Sequence, residues 1–447
     1  MNDYSEKNIP KTEARTVQRL LNRMLDVRSA ELGALGWSWF YIFSVLSAYY
    51  ILRPIRDEMG VAGGVENLQW LFTGTLVGML LVNPPFAALV AKLPRVQFIS
   101  IAYRFFIANL LIFIVLLKAA SAEQNIWIGR VFFIWTSVFN LFVVSVFWAL
   151  MVDVFNSEQS KRLFGFISAG ATLGAIVGSS ITASLASHVP PTYLMLGSAV
   201  LLEVAVFSVR RLSRLSDVLH RRPATTEEAP IGGTALSGFT HAFKSPYLVN
   251  VSIYILLYAI TSTFLYFQQA EIARQAFADR GARTAFFARI DLWVNILTLA
   301  AQIFVTGKVL RSFGVAFTLA TLPALSVVGF GALAATPTLV ILVIYQVLRR
   351  AGNFAFARPS REVLFTVVPR EDKYKAKSFI DTVVYRTGDQ AGAWSYAALS
   401  FVGLGMVGIA IAAVPISLAW LANGLWLGRK QENLAKVEVK ESVRSTA

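Results

Sequence analysis

The chain has no cysteine, so it can build neither a disulfide nor a thiolate metal site. It has three histidines, His188, His220 and His241, all at expected loop or helix-end positions, so no zinc or other metal centre is expected. Charge is scarce: 15% of residues are charged, where a soluble domain has about 25%. Acid is scarcer than base, with 26 Asp and Glu against 41 Lys and Arg. No G-x-x-x-x-G-K-[ST] run occurs, which excludes a P-loop ATPase. Residues 1–30 are polar throughout and lack the apolar centre of a cleavable signal peptide. The period-two alternation of a membrane barrel is missing as well.

Long apolar blocks are what the chain does have. Hydrophobic residues make up 56% of it, and they fall in runs of roughly 20 or more, long enough to cross about 30 Å of hydrocarbon as helices. Only helices satisfy their own backbone in lipid at this composition. The expected fold class is therefore all-α: a polytopic membrane protein with twelve transmembrane helices near 36–55, 68–91, 97–119, 126–152, 163–187, 191–210, 247–269, 285–308, 314–334, 337–357, 375–400 and 404–427.

Lys and Arg concentrate in the N-terminal tail, in alternate loops (Lys92, Arg95, Lys161, Arg162, Arg210, Arg211, Lys308, Arg311, Arg370, Lys373) and in the C-terminal tail. That asymmetry places both termini in the cytoplasm of a bacterial inner membrane. It also accounts for the net charge of +15 without nucleic acid. The segments after helices 1 and 7 break the pattern. The expected division is a tail at 1–35, a six-helix bundle at 36–210, a Pro/Thr/Gly-bearing linker at 211–245, a second six-helix bundle at 246–428 and a tail at 429–447.

The halves repeat. A single ungapped offset of 213 residues carries Asn140 onto Asn353, Glu158 onto Glu371, Phe166 and Ile167 onto Phe379 and Ile380, and Glu58 onto Glu271. It also lays helix 4 on helix 10. Such duplication puts a solute site between the halves near the midplane.

Ionisable side chains inside apolar spans cost several kcal/mol, so each one requires a partner or a function. Helix 10 carries Arg349, Arg350 and Asn353. The two arginines point about 100° apart, so at most one faces a central path squarely. On helix 11, Asp381, Tyr385 and Asp389 share a stripe, with Arg386 in reach of Asp389. Helix 8 has Asp291, a partner for one of the arginines. Arg104 on helix 3 either lines the path or snorkels. Arg53 and Arg56 flank Pro54, which is expected to break or kink helix 1, and they either snorkel or face the path. Helix 5 has Gly170, Gly174 and Gly178 at spacing four, which suits close helix crossing.

The candidate solute-binding residues are thus Arg53, Arg56, Arg104, Arg349, Arg350, Asn353, Tyr385 and Arg386. Asp291, Asp381 and Asp389 are the candidates for charge coupling. The surplus of guanidinium groups favours an anionic cargo. The leading expectation is a secondary transporter or exchanger of an organic anion, a nucleotide or another phosphorylated metabolite, with no cofactor and no enzymatic activity. It is expected to work as a monomer whose partners are that solute and the bilayer. Two alternatives stand beside it: a proton-coupled exporter of cationic or lipophilic compounds that uses Asp389 and Asp291, and a non-transporting membrane receptor or assembly partner.

Three stretches resemble the ATP/ADP antiporters of intracellular bacteria and plastids and their shorter bacterial relatives. They are Ile51-Leu52-Arg53-Pro54-Ile55-Arg56-Asp57; Phe147-Trp148 followed by Ser157 to Gly165, which contains Lys161 and Arg162; and Pro359, Arg361, Glu362, Lys373, Lys375, Lys377, Asp381, Arg386, Gly388 and Gly392. The resemblance implies the twelve-helix architecture of the major facilitator superfamily and exchange of phosphorylated solutes. It also implies gating roles for Asp57, Lys161, Arg162, Arg361 and Glu362. The chain departs from that family where Asp389 replaces a Lys, and in having no acidic residue in the body of helix 4.

Overall fold

A computed structural model describes residues 28, 31–92, 95–219, 245–368, 376–377 and 379–446; side chains at 83–84, 86–92, 95, 157, 161, 216–219, 307–308, 310–311 and 438–446 fall outside that description. The expected N-terminal tail up to residue 27, the linker residues 220–244, Lys373, Lys375 and the Lys161 side chain therefore lie outside the described residues.

Twelve helical segments follow one another: α1 Leu32–Ala62, α2 Leu68–Lys92, α3 Arg95–Ala119, α4 Ala122–Val154, α5 Ser157–Leu185, α6 Pro191–Leu219, α7 Pro246–Ala276, α8 Arg280–Phe304, α9 Thr306–Ala335, α10 Leu339–Gly352, α11 Tyr385–Phe401 and α12 Met406–Thr446. Wide π-turns extend two of them. Asn353–Ala357 joins α10 to a short continuation, Arg358–Leu364, and Ile380–Val384 leads into α11. Several helix starts carry side-chain caps. Ser121 with Gln124, and Asn156 with Gln159, form reciprocal capping boxes on α4 and α5, while Asp279 caps α8. Among the described residues, eleven helices are long and apolar enough to cross a membrane, with α10 counted together with its continuation to Leu364. The exception is α11, only 17 residues long and carrying Arg386 and Asp389.

The offset of 213 residues reproduces the helix boundaries: α1 shifted by it covers 245–275, within one residue of α7, and α2 shifted covers 281–305, within one residue of α8. The packing repeats too. In the first half, Gly174 and Gly178 of α5 lie against the Phe43 and Ser47 carbonyls of α1. In the second, Gly388 and Gly392 of α11 lie against the backbone at Leu256 and Ile260 of α7. Phe43 and Ser47 map onto Leu256 and Ile260 without adjustment. A Cβ at any of these glycines meets backbone, so their smallness sets how closely the helices approach.

The expected end of helix 1 near residue 55 is corrected. Pro54 is accommodated inside α1, and the helix runs on to Ala62. The added turns bury Asp57, Glu58 and Val61 against the other half and Met59 in the first half's core, and that packing outweighs the lost backbone bond. Likewise α10 continues past residue 357, through its π-turn, to Leu364.

One break has a clear local cause. Within α9, Gly314 takes φ 75°, and the freed N–H groups of Val315 and Ala316 donate to Glu432 Oε1 on α12 at 3.0 and 3.2 Å. At the start of α1, burial works to raise the pKa of the Glu31 carboxyl. The Arg28 backbone N–H, the Gln159 amide and the Arg162 guanidinium outweigh it and hold the group below the usual glutamate range.

Two core clusters lie mostly within one half each, but a third crosses between them. In it Val61, Val65, Leu68, Leu71 and Phe133 of the first half pack with Phe264, Phe267, Ile272 and Phe287 of the second. These residues gather at the face where α1 ends and α2 begins, termed here the closed face.

Candidate functional site

The polar contacts joining the halves gather within about 17 Å of the closed face, judged from the helical rise. They form three levels.

At the rim, Glu58 of α1 is held by two arginines of α8. Arg280 donates from Nε to Oε1 and from Nη2 to Oε2, both at 3.0 Å, and Arg283 Nη2 donates to Oε1 at 3.0 Å. Glu58 is 3% exposed. Beside it Gly281 of α8 lies against the Ala186 carbonyl, so the α5 and α8 ends meet backbone to backbone. Sequence reasoning missed Arg280 and Arg283. The signal in the sequence was that the segments after helices 1 and 7 break the charge pattern, and those are the two segments that meet here.

The middle level joins α2 to α11 and α1 to α7. Thr73 Oγ1 donates to Gln390 Oε1 at 2.9 Å, Trp394 Nε1 donates to Thr73 Oγ1 at 3.1 Å, and Trp70 packs edge-on against Trp394 at 4.7 Å. Tyr266 Oη donates to Asp57 Oδ1 at 2.9 Å, and Arg56 donates to the same oxygen from Nη2 at 2.6 Å.

The deepest level is an ion triad across the halves. Asp291 Oδ1 on α8 lies 3.2 Å from Arg53 Nη1 on α1 and 2.7 Å from Arg350 Nη1 on α10. Asp291 Oδ2 and Arg53 Nε are buried with no hydrogen-bond partner among the described residues. One carboxylate thus serves two guanidinium groups while half of its own bonding capacity stays unused.

Beside the middle level lies a hollow of about 150 Å³. Arg56, Ser137, Asn140, Arg386, Asp389 and Gln390 supply its polar wall, and Phe72, Phe133 and Tyr266 its aromatic one. Arg56 donates to Ser137 Oγ at 3.3 Å and its guanidinium sits 4.8 Å from the centre of the Phe133 ring. Arg386 Nη1 reaches Asp389 Oδ2 at 3.1 Å, as the spacing predicted. Around the hollow and the triad, Arg53, Arg56, Arg350 and Arg386 stand against Asp57, Asp291 and Asp389, four cations to three anions.

Towards the opposite face Ala149 and Asp153 on α4, Arg358 and Glu362 on the α10 continuation, and Asp381 to Val383 before α11 are exposed. The polar contacts given above join the halves at the closed face, and these residues are exposed towards the other.

The remaining predicted residues divide. Arg349 does not face the crevice. It is 2% exposed inside the second half, where it donates to Ser326 Oγ, Thr261 Oγ1 and the Tyr258 carbonyl and lies over the Tyr258 and Trp420 rings. The 100° between the adjacent arginines sends one inward and one to the interface. Arg104 also lies away from the crevice, which corrects its assignment to the solute path. On the outer flank of the first half it pairs at 2.6 Å with Glu203 of α6, an acid absent from the sequence reading. Asn353 is buried in the π-turn, with Oδ1 unpaired among the described residues. Tyr385 packs on Tyr258. Asp381 is exposed, Glu362 pairs with Lys377 within the second half, and Arg361 lies 5.8 Å from the Tyr258 ring centre. Arg162 pairs with Glu31 within the first half. Of the expected gating residues, Asp57 bridges the halves, through Tyr266. A larger hollow, about 710 Å³, opens at the closed face beside Glu66, Glu271 and Arg274 and carries none of the predicted residues.

A family model for the Major Facilitator Superfamily matches residues 32–385. Among curated proteins, ADP,ATP carrier protein 1 of Chlamydia trachomatis is 22% identical over 372 residues, covering 72% of this chain and 70% of the relative. ADP,ATP carrier protein 2 of Chlamydia pneumoniae is 19% identical over 499 residues, covering 94% and 92%. Among solved structures, a bacterial homologue of the iron transporter ferroportin in an inward-facing state superposes with TM-score 0.63 at 12% identity, over 90% of this chain and 98% of that one. A peptide transporter of the POT family gives TM-score 0.56 at 12% identity, over 90% and 96%. These structures share the fold.

Proposed function

The chain belongs to the Major Facilitator Superfamily and is a multi-pass membrane transporter of that type; from that premise we propose that it exchanges or accumulates an organic anion bearing a phosphate or similar group. One observation carries the reading: the net positive layer between the halves, in which, among the described residues, Asp291 is the one carboxylate paired with Arg53 and Arg350. A guanidinium in a low-dielectric crevice gains most from a planar or tetrahedral oxyanion. The hollow admits one anionic group between Arg56 and Arg386, and the rest of a larger solute projects towards the open face. The aromatic wall of Phe72, Phe133 and Tyr266 suits a flat organic body. The weak likeness to ADP,ATP carriers supports a nucleotide within this class.

With both termini cytoplasmic, as the charge distribution indicates, the closed face is periplasmic and the crevice opens inward. Alternating access then requires the three levels to separate while a cytoplasmic closure forms.

Purified protein screened by thermal shift against nucleotides, sugar phosphates and carboxylates tests the reading. A phosphate-bearing ligand is expected to raise the midpoint, and Arg386→Gln to abolish that rise. Asp389 favours a second reading, a proton-coupled exporter, because it faces the hollow with one arginine as partner. Efflux of cations driven by an imposed pH gradient, with no response to any anion, would replace the first reading with the second.

A further inference from the structure

We infer that the groove between α3 and α6, on the lipid-facing flank of the first half, is a binding site for the head group of an anionic phospholipid. The argument begins with an ion pair in an unfavourable place. Arg104 and Glu203 meet at 2.6 Å, yet their side chains are 48% and 50% exposed. The apolar span of α3 begins at Val96, so Arg104 lies about 12 Å within it by helical rise. Its surroundings are apolar and outward-facing: Phe105, Val200 and Phe207 are 62%, 59% and 48% exposed. This surface faces acyl chains rather than the crevice. Half-exposed charges there lack both water and protein partners for their remaining bonds.

The pair is not isolated. A groove of about 280 Å³ leads from it towards the open face, lined by Gln97, Ser100, Ile101, Arg104 and Arg210. Gln97, Ser100 and Arg104 recur at helical spacing, so α3 presents one polar stripe within an apolar flank. Arg210 lies seven residues beyond Glu203, about 10 Å nearer the open face. Arg211 follows it, stacked 5.2 Å from the centre of the Phe207 ring. Neither Arg210 nor Arg211 has a carboxylate within ion-pair distance among the described residues. Glu203 cancels Arg104, and two guanidinium groups remain uncompensated beside the groove.

A phospholipid fits this arrangement from both ends. Its phosphate takes guanidinium donors from Arg210 and, through snorkelling, Arg104. Its chains lie along Ile101 and Phe105. The uncompensated charge selects an anionic head group over a zwitterionic one, since each arginine near a membrane surface contributes about fivefold in affinity for acidic lipid.

The test uses the full-length protein, delipidated in detergent, with bound lipid counted by native mass spectrometry. Phosphatidylglycerol, phosphatidylcholine and inorganic phosphate are added separately. Phosphatidylglycerol is expected to bind at least fivefold more tightly than phosphatidylcholine, and Arg210→Gln to remove most of that preference. Arg104→Gln alone leaves Glu203 unpaired and risks misfolding. The double variant R104Q/E203Q preserves net charge and is expected to weaken phosphatidylglycerol binding as well. Equal retention of the two lipids, or unchanged phosphatidylglycerol affinity in both variants, overturns the proposal. Inorganic phosphate that displaces the lipid reassigns the groove to a soluble anion and also overturns it. So does a dimer that buries α3 and α6 against a second copy.

Discussion

Replacing Glu58 by Gln should loosen the closed face, and its size can be worked from the geometry. Glu58 accepts three charge-assisted hydrogen bonds at 3.0 Å. Bonds of this type contribute about 1.5–3 kcal/mol each when shielded. Two come from Arg280, whose side chain is 51% exposed, and solvent screens them to a fraction of that. The third comes from Arg283, which is 10% exposed, and keeps most of its value. A neutral amide still accepts one bond, so the net loss is about 2 kcal/mol, or roughly a 30-fold shift towards the conformation open at this face. The absence of native cysteine makes the assay clean. Thr75 lines the hollow below the gate, and Thr75→Cys supplies the sole thiol. A membrane-impermeant maleimide applied from the closed-face side should label T75C/E58Q roughly 30 times faster than T75C. Arg283→Gln should accelerate labelling to a similar degree, and combining it with Glu58→Gln should add little, because both changes break one network. Equal labelling rates in T75C and T75C/E58Q would refute the gate.

Asp291→Asn leaves Arg53 and Arg350 facing each other without a counter-charge. It should destabilise the protein by about 3 kcal/mol, and the anion proposed as substrate should restore more of the thermal midpoint than it adds to wild type; an unchanged midpoint contradicts the triad's role. Gly174→Val drives a branched side chain into the Phe43 backbone of α1 and should abolish stable folding in a detergent stability screen, whereas Gly165→Ala, with no neighbour within 4 Å, should leave the midpoint unchanged. Glu31 has a folded pKa below its unfolded value of about 4.3. Its contribution is therefore complete above that pH and disappears as the pH falls through the lowered folded value. Glu31→Gln should lower stability at neutral pH and flatten the acid limb of the stability curve, and parallel curves for variant and wild type count against the assignment.

The fold was legible because the membrane imposes a one-dimensional code: apolar length marks a span, and a basic loop marks its side. The repeat was legible for a related reason, since one offset moved Asn140 and Glu58 together with their helices. The candidate site was legible where charge stood out against apolar sequence, as in the partnership of Asp291 with one of the helix 10 arginines and of Arg386 with Asp389. What failed was direction. Arg104 and Arg350 are both deep arginines, and nothing in spacing alone reveals that one faces lipid beside Glu203 while the other faces Arg53 across the halves. The extra turns of α1 were hidden by Pro54, whose local preference is overridden only by burial of Asp57 and Glu58 against another domain. Neutral members of the site, such as Ser137, Gln390 and Tyr266, carry no signal against their background until the halves are brought together.

Two of the carboxylate bridges across the halves, at Glu58 and Asp291, have the same form and different consequences. Glu58 and Asp291 each sit between two arginines, and each holds the closed face shut. Glu58 lies at the rim, shielded from the crevice, so a solute arriving from the open face cannot compete with it. Asp291 lies deeper, with one oxygen unpaired among the described residues, and an anion near Arg53 or Arg350 competes directly for the same donors. On the proposed reading, binding therefore weakens one tie between the halves and leaves the other intact. The energy available for that coupling is the difference in the anion's affinity for the two conformations, typically about 1–3 kcal/mol. It is large enough to bias the rim equilibrium and too small to break the rim outright. A solute touching only one half would supply no such difference, and it would leave the carrier where it stood however tightly it bound.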